Sequence, residues 1–297
     1  MRRTIDRNLL KSLLSLASVI ELRDPYTGGH SWRVGQLARH LAAKIGGDVD
    51  QVFLAQLGGF LHDLGKVGVP DAILRKAGPL TEDEIAVIRT HPAVGADLLL
   101  EHPLAELATD AVRWHHERPD GGGYPDALAG DRTPLVARIV GVADAFDAMT
   151  STRSYRRGMP IDKAMAILSA ERGRQFDADL VDALIALQLG GEVLPHIVGH
   201  SDHGQRLADC PGCAAPLAVS RKAVGGSRLG CRNCGSLLRL EREGDGWVAF
   251  LVGGRPDPAS LRPIPEIEVQ DEILAAIPVG RRSFFVGRLS ALVGAGE

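Results

Sequence analysis

Apolar residues recur at helical spacing along about the first 190 residues of the chain. The first stripe runs from Leu9 to Ile20 and stops at Asp24-Pro25, because the residue before a proline is disfavoured in a helix. We identify no convincing alternating strand in this half. The pattern predicts an all-α bundle, with helices at about residues 9–23, 34–45, 48–62, 81–91, 93–101, 103–116, 134–149, 160–171 and 177–189.

Capping residues mark several of these helix boundaries. Asp48 is a favoured N-cap for the third helix, and Thr81-Glu82-Asp83-Glu84 forms a capping box at the start of the fourth. Gly46-Gly47 is typical of a helix end, while Pro134 suits a first helical turn. The boundaries therefore rest on local chemistry as well as on periodicity.

The pattern changes after residue 190. Gly190-Gly191 and the residues up to 206 resemble a linker. Apolar residues on both sides of Gly244-Asp245-Gly246 predict a β-hairpin over about 238–252, and weakly helical apolar patches follow at 273–277 and 284–293. We predict a mainly α protein with a helical domain over 1–190, a linker over 191–206, a small β domain over 207–254 and a C-terminal extension, helical in character, over 255–297.

Composition narrows the class of protein. The 297 residues include 34 Lys+Arg and 37 Asp+Glu, and 45% are hydrophobic. This excludes a disordered or fibrous chain and gives no reason to expect a polyanion-binding surface overall. The N-terminus is not typical of a signal peptide, because Lys11 interrupts the first apolar run and no small-residue cleavage site follows it. No later segment approaches the roughly 18 apolar residues of a membrane span, so we expect a cytoplasmic protein without membrane contact.

Histidines are concentrated in the helical half, where seven of the ten lie within the first 116 residues. Two adjacent ligand pairs, His62-Asp63 and His115-His116, fall at predicted helix ends, and His30, His91 and Asp144 lie on other helices. Facing helices of a bundle can build a metal site in this way. Mixed imidazole and carboxylate ligands suit iron, manganese, nickel, cobalt or zinc. Two such ions about 3.5–4 Å apart are typical of phosphoester hydrolysis.

An ordered series of motifs surrounds these residues. His62-Asp63-Leu64-Gly65-Lys66 resembles the motif that names the HD-domain phosphohydrolases, and the full series resembles the HD-GYP subfamily over about residues 20–187. A His-Asp pair alone is worthless as evidence, whereas the whole series in order is highly specific. Its further members are Val69-Pro70-Asp71, Thr90 to Gly95, His115-His116-Glu117, Asp120 to Pro125, Arg138 to Ser151 and Arg153 to Arg156.

The resemblance implies an all-α fold and hydrolysis of cyclic di-GMP to the linear dinucleotide pGpG or to GMP. It also implies a centre of two or three metals, often iron or manganese. Tyr26 occupies the position where members with three metals have a glutamate. A phenol is a poor substitute ligand, so we expect two metals. The ligands implied by the motifs are His30, His62, Asp63, His91, His115, His116 and Asp144, with Asp63 bridging the ions.

The same resemblance implies the substrate contacts. Lys66 is expected to contact the scissile phosphate or the attacking hydroxide, and Arg153 and Arg156 to hold phosphate oxygens, which suits their donor geometry. Tyr124 and Pro125 belong to the loop that names the subfamily.

Other polar residues near the motifs have ordinary interpretations. His40, His102 and Arg157 are predicted at the surface or at helix boundaries. Asp147 is left open between support of a ligand and a surface role.

Four cysteines form a second candidate metal site. Cys210-Pro211-Gly212-Cys213 and Cys231-Arg232-Asn233-Cys234 are separated by 17 residues, a spacing typical of a four-cysteine zinc site. Four thiolates close the coordination of the ion, so this zinc is structural rather than catalytic. The alternative, a redox dithiol, lacks the expected βαβ context. We therefore predict a zinc ribbon, with His196, His200 and His203 as residues of the linker before it.

The ribbon has a mild positive surplus between residues 201 and 240. This range contains six basic residues and only two acidic ones, Asp202 and Asp209. Such a patch is compatible with nucleic acid, but we favour a protein-docking or purely structural role. The basic residues are Arg206, Arg221, Lys222, Arg228, Arg232 and Arg239.

The resemblance, together with the candidate ligand set, implies a metal-dependent cyclic di-GMP phosphodiesterase. In this mechanism two ions would activate a hydroxide for in-line attack on the phosphorus, while Lys66, Arg153 and Arg156 would stabilise charge on the phosphate oxygens. One alternative is a receptor for cyclic dinucleotides with little turnover, which signals through the ribbon. The other is a ribbon adaptor with hydrolysis secondary. Expected partners are cyclic di-GMP or a related cyclic dinucleotide, a protein bound by the ribbon, and a second copy of the chain.

Overall fold

The computed structural model describes residues 5–23, 28–76, 78–152, 157–203, 205–261 and 267–278. Most of its regular structure is helical, which confirms the mainly α prediction. In the described part of the chain, no helix combines the length and the apolar character that crossing a membrane requires. The helices are α1 (Arg7–Glu21), α2 (His30–Lys44), α3 (Val49–Leu61), α4 (Asp71–Leu74), α5 (Glu82–Ile88), α6 (His91–Leu99), α7 (Thr109–Trp114), α8 (Leu135–Thr150), α9 (Ile161–Ala170), α10 (Ala178–Gly190) and α11 (Ile267–Ala275).

The two capping boxes form as their sequences predict. The Asp48 carboxylate accepts from the backbone N–H of Gln51 at 2.9 Å, and the Gln51 side chain accepts from the Asp48 N–H. Glu84 and Thr81 make the same reciprocal pair at the start of α5. The helix expected over 103–116 is shorter: α7 begins only at Thr109, after a 3₁₀ turn at Ala105–Leu107.

The core of the bundle lies between α2, α3 and α8. Trp32, Phe53, Phe60 and Phe146 are each at most 2% exposed, and the apolar face of α1 packs against the same core. Burying large aromatic side chains is the main favourable contribution to such a core. A 3₁₀ helix, Leu64–Gly68, leaves α3 and packs against α6.

The segment predicted as a linker has structure of its own. A 3₁₀ turn at Leu194–His196 precedes strand β1 (His200–Asp202), which pairs with β2 (Gln205–Arg206). Leu194 and Ile197 are buried in the core of the helical bundle. Apolar contact with the bundle therefore orders residues that a glycine-rich sequence alone does not.

The β domain consists of two small sheets. β3 (Ala208–Asp209) pairs with β4 (Pro216–Leu217), and β5 (Arg228–Gly230), β6 (Leu237–Glu243) and β7 (Gly246–Leu251) form an antiparallel sheet in that order. The predicted hairpin is thus β6–β7. Leu238, Leu240 and Trp247 belong to a separate core around the cysteines.

The C-terminal helix α11 returns to the bundle. Val269, Ile273 and Leu274 are buried in the main core. The Glu272 carboxylate accepts from the Trp32 indole at 3.1 Å and from the Gln36 amide. The first predicted apolar patch therefore forms part of a helix, while the second, at 284–293, lies outside the described residues.

Candidate metal centre

The structure brings the seven predicted metal ligands together at one end of the bundle. His30 begins α2, His62 follows α3, His91 begins α6 and His115 follows α7. Helix ends converge there, so neighbouring residues can point towards one place. Asp63 starts the 3₁₀ helix after α3, His116 follows His115, and Asp144 lies on α8.

The potential ligand atoms form two sets joined by Asp63. In one, atoms of His30, His62 and Asp144 lie within 4.8 Å of one another, and in the other those of His91, His115 and His116 do so. Asp63 Oδ2 is 3.4 Å from His62 Nε2 and 3.5 Å from His30 Nε2. Its other oxygen, Oδ1, is 3.5 Å from His91 Nε2. The two oxygens of one carboxylate thus face different sets.

Hydrogen bonds fix which nitrogen of each ring faces the centre. The Nδ1 of His62 lies 2.7 Å from the Gly59 carbonyl, that of His91 2.8 Å from the Ile88 carbonyl, and that of His115 3.0 Å from the Val112 carbonyl. A carbonyl can only accept, so each Nδ1 carries the hydrogen and each Nε2 keeps its lone pair. This is the arrangement of metal-ligating histidines.

Burial keeps these rings neutral. It lowers the pKa of His62 and His91, lowers that of His115 well below the usual value, and lowers that of His116 to about 3. Burial opposes ionisation of Asp63, but the facing His62 ring and the Lys66 ammonium outweigh it and hold the pKa of Asp63 well below its usual value. Because His62 is itself neutral, we ascribe this shift mainly to Lys66, whose Nζ is 2.6 Å from Oδ2.

The donor set fits divalent transition ions. His62 Nε2 is buried and has no hydrogen-bond partner among the described residues. His91 Nε2 and His115 Nε2 face each other at 3.2 Å, and since both carry lone pairs this contact is not a hydrogen bond. Facing lone pairs in a buried site need a cation between or beside them. Neutral imidazoles with ionised carboxylates are the form in which such ions are bound.

Asp147 and Arg33 support His30 from behind. Asp147, which the sequence leaves open, is 1% exposed, and its Oδ2 lies 2.7 Å from His30 Nδ1. Arg33, which sequence reasoning missed, donates from Nε to Asp147 Oδ1 at 2.5 Å. Burial opposes ionisation of Asp147, but the Arg33 guanidinium outweighs it and lowers the pKa. One signal was present: Arg33 and Asp147 each lie three residues after a ligand, on the same helix face.

A cleft of about 370 Å³ opens beside His116 and Asp144. The Tyr124 ring stacks on the His116 ring with 4.7 Å between centroids, and the Arg89 guanidinium lies 5.5 Å from the Tyr124 centroid. Pro125 follows through a cis peptide bond. Arg89, Arg118 and Arg138 line the cleft, although the sequence did not single them out as substrate contacts. Tyr26, Arg153 and Arg156 lie outside the described residues.

The four cysteines also come together, and their sulfur atoms lie within 4.8 Å of one another. Cys210 Sγ is 3.7 Å from Cys234 Sγ, and Cys213 Sγ is 3.6 Å from Cys231 Sγ. A tetrahedron with Zn–S bonds of about 2.3 Å has edges of about 3.8 Å, so these distances suit zinc. The two knuckles match, since the residue after each pair donates its N–H to the carbonyl of the first cysteine.

Comparisons with known proteins place these features in context. The HD domain family matches residues 15–180. The chain is 42% identical over 177 residues to a cyclic di-GMP phosphodiesterase response regulator of Xanthomonas campestris, covering 59% of this chain and 47% of that protein. It is 39% identical over 175 residues to the 3′3′-cGAMP-specific phosphodiesterase 3 of Vibrio cholerae, covering 57% and 37%.

Among solved structures, an HDGYP protein from Bdellovibrio bacteriovorus is similar with a TM-score of 0.47 and 22% identity, covering 57% of this chain and 53% of that one. The chain spans about half the length, or less, of the curated relatives it matches.

Proposed function

Since this chain belongs to the HD domain family, we propose that it hydrolyses a phosphodiester bond of a cyclic dinucleotide at two divalent metal ions. The observation that carries the proposal is the pair of ligand sets with Asp63 between them. His30, His62 and Asp144 would hold one ion, and His91, His115 and His116 the other. Asp63 would bridge the two, because each of its oxygens faces a different set. The resemblance to the HD-GYP subfamily favours iron or manganese, and nickel, cobalt and zinc are also compatible with these donors.

The proposed reaction divides between the ions and the chain. Bound divalent ions would supply Lewis acidity, which lowers the pKa of water and neutralises phosphate oxygens. Lys66 holds an ammonium at the edge of the centre, against Asp63, where positive charge stabilises the developing charge on a phosphate. Arg153 and Arg156 are proposed as further phosphate contacts. The product of one hydrolytic step is the linear dinucleotide.

The cleft beside the centre suits a nucleotide. Its volume lies within the range of about 300–1,000 Å³ typical of small-molecule sites. The Tyr124 ring and the Arg89 guanidinium offer planar surfaces for stacking of a base, which contributes about 1–3 kcal/mol. Arg118 and Arg138 also line the cleft, each paired with an aspartate, Asp120 and Asp177 respectively. We propose cyclic di-GMP as the first substrate, with 3′3′-cGAMP as the competitor, since relatives named for each are similar to this chain.

The cysteine cluster is proposed to bind one structural zinc. The support is the sulfur geometry together with the small size of the surrounding core, which is made of short strands and few large apolar residues. Small domains of this kind depend on a metal for their fold.

The test is a product assay with protein reconstituted separately with iron, manganese, cobalt, nickel and zinc. Cyclic di-GMP and 3′3′-cGAMP are supplied in parallel, and products are resolved chromatographically. We expect the linear dinucleotide with wild-type protein, and none with His62→Ala or Asp63→Ala. His196→Ala is the matched control, because His196 is exposed and lies in the 3₁₀ turn before β1. Stoichiometric binding without product under every metal would instead show a receptor.

A further inference from the structure

The Arg33 side chain connects three parts of the molecule: helix α8, the backbone just before α2, and strand β1. A guanidinium has five N–H donors, and all five are used here. Nε and one Nη2 hydrogen bind Asp147 on α8, and the other Nη2 hydrogen binds Ser151 Oγ at 3.2 Å. Nη1 donates to the Gly28 carbonyl at 2.9 Å and to the His200 carbonyl at 2.8 Å. His200 belongs to β1, so a residue behind the metal centre is held by the C-terminal part of the chain.

The His30 ring is the end point of this chain of contacts. Asp147 Oδ2 accepts from His30 Nδ1 and from Arg33 Nη2. Arg33 therefore fixes the carboxylate that fixes the ring. A carboxylate on the rear nitrogen of a histidine orients the ring and raises its strength as a metal ligand.

The backbone before His30 is held by the same region. Gly29 has φ +74°, and a Cβ built on it would lie 2.4 Å from Ser201 Cα. The start of α2 thus lies directly on β1, at a distance only glycine permits. Arg232, inside the second cysteine knuckle, donates to the Leu22 carbonyl at the end of α1.

The β1–β2 hairpin is in turn attached to the zinc ribbon. The Gln205 amide on β2 donates to the Val219 carbonyl at 2.7 Å. Arg221 pairs with Asp202 of β1 at 3.0 Å. Val219 and Arg221 lie between the two cysteine pairs, so the fold of the ribbon sets the position of β1.

The second ligand set is supported differently. His91 binds the Ile88 carbonyl and His115 the Ala111 and Val112 carbonyls. His116 stacks on Tyr124. These supports come from within the helical bundle. The two sets therefore differ in what holds them.

We propose that the zinc ribbon is an intramolecular support for the His30 half of the metal centre, acting through β1, Arg33 and Asp147, with Arg33 as a positioning residue. The proposal rests on the proposed function, since it concerns the ions assigned there. Loss of ribbon zinc should weaken the ion held by His30, His62 and Asp144 and spare the ion held by His91, His115 and His116.

The test measures Mn²⁺ binding, with free Mn²⁺ followed by electron paramagnetic resonance and zinc counted by elemental analysis. Mn²⁺ prefers oxygen and nitrogen ligands to thiolates, so it reports on the His/Asp centre alone. The variants are the double substitution Cys213→Ser/Cys234→Ser, Arg33→Lys, and His30→Ala as the reference for a damaged first set. Arg239→Ala is the matched control, because Arg239 lies on an exposed position of β6 beside Glu241.

Wild-type protein and Arg239→Ala should bind two Mn²⁺ and one zinc. In the cysteine double variant and in Arg33→Lys, one Mn²⁺ should bind about 10–100-fold more weakly, the range for lost outer support of a ligand. The Mn²⁺ held by His91, His115 and His116 should bind with an affinity within about 2-fold of the wild-type value, as it should in His30→Ala. Arg33→Lys should keep its zinc.

Two results separate the inference from the proposed function. If Arg33→Lys binds each of the two Mn²⁺ ions with the same affinity as wild-type protein does, the inference is overturned and the proposed function stands. Failure of wild-type protein to bind Mn²⁺ or any other divalent ion would overturn the proposed centre itself. Loss of helical circular dichroism in the cysteine double variant would also overturn the inference, because the ribbon would then support the whole bundle rather than the His30 set.

Discussion

Tyr124 lines the cleft beside the metal centre. Burial raises the pKa of the phenol, and the Asp144 carboxylate adds to this, so the hydroxyl stays neutral. The ring stacks on the His116 imidazole, and the Arg89 guanidinium lies 5.5 Å from its centroid. An aromatic face held in this way is suited to stacking with a nucleobase.

We predict that Tyr124→Phe keeps KM for cyclic di-GMP within about 2-fold, whereas Tyr124→Ala raises it about 10-fold. The ring contact is worth about 1 kcal/mol or more, and the phenylalanine retains it. Steady-state kinetics on the metal-loaded protein checks this. Equal losses for both substitutions would show that the hydroxyl, and not the ring, is the feature that matters.

Asp147→Asn should weaken metal binding and lower activity about 10–100-fold. The amide keeps the size of the carboxylate, but its NH₂ group faces either His30 Nδ1 or Arg33, both of which donate. Metal titration and turnover measure the two effects. Asp162→Asn is the control, because Asp162 is an exposed carboxylate in the first turn of α9. A comparable loss in that variant would contradict the assigned role.

The residues of the candidate metal centre were predictable from the motif series, but the residues that support them were not. His62, Asp63 and His91 stand in motifs with a recognisable order. Arg33 has no motif signal of its own, and a charged residue in a helix usually lies in solvent. Its burial depends on Asp147 and on the His200 carbonyl, which is 167 residues away in the sequence. Local patterns do not contain such partners.

The 3₁₀ helix Leu64–Gly68 lies unusually close to α6. A Cβ on Gly65 would be 1.8 Å from the His91 carbonyl oxygen and 2.4 Å from Gly95 N. This contact sets the distance between the element that carries Asp63 and the helix that begins with His91. The spacing between the two ligand sets therefore depends on a glycine that binds no metal.

Gly65→Ala should destabilise the bundle by roughly 3 kcal/mol, the upper part of the range for overpacking a close contact. It should also lower metal affinity, because the 3₁₀ helix must move away from α6. Urea unfolding and Mn²⁺ titration check the two effects. Gly190→Ala is the control: Gly190 ends α10 with nothing within 4 Å of an added Cβ, so the change should be at most about 1 kcal/mol and stabilising.

The helical bundle extends beyond the first 190 residues. Its core includes Leu194 and Ile197 before the β domain and Val269 and Ile273 after it. The β domain, with Trp247 at its centre, has a core of its own. The sequence indicated the change of structural class but not the return of α11. A nine-residue helix gives a weak periodic signal. Its partners in α1 and α2 lie more than 200 residues away in the sequence, so local patterns do not reveal them.

Ile273→Ala tests whether α11 is part of the bundle. Ile273 is 2% exposed, and truncation of a buried isoleucine costs about 2–5 kcal/mol through lost burial and a residual cavity. We therefore expect a lower urea midpoint for the unfolding transition of the helices, followed by circular dichroism. Zinc content should stay at one per chain, because the cysteines lie in the other core. Asp271→Ala, on the exposed face of α11, should change stability by no more than about 0.5 kcal/mol. An unchanged helical transition in Ile273→Ala would mean that α11 does not stabilise the bundle.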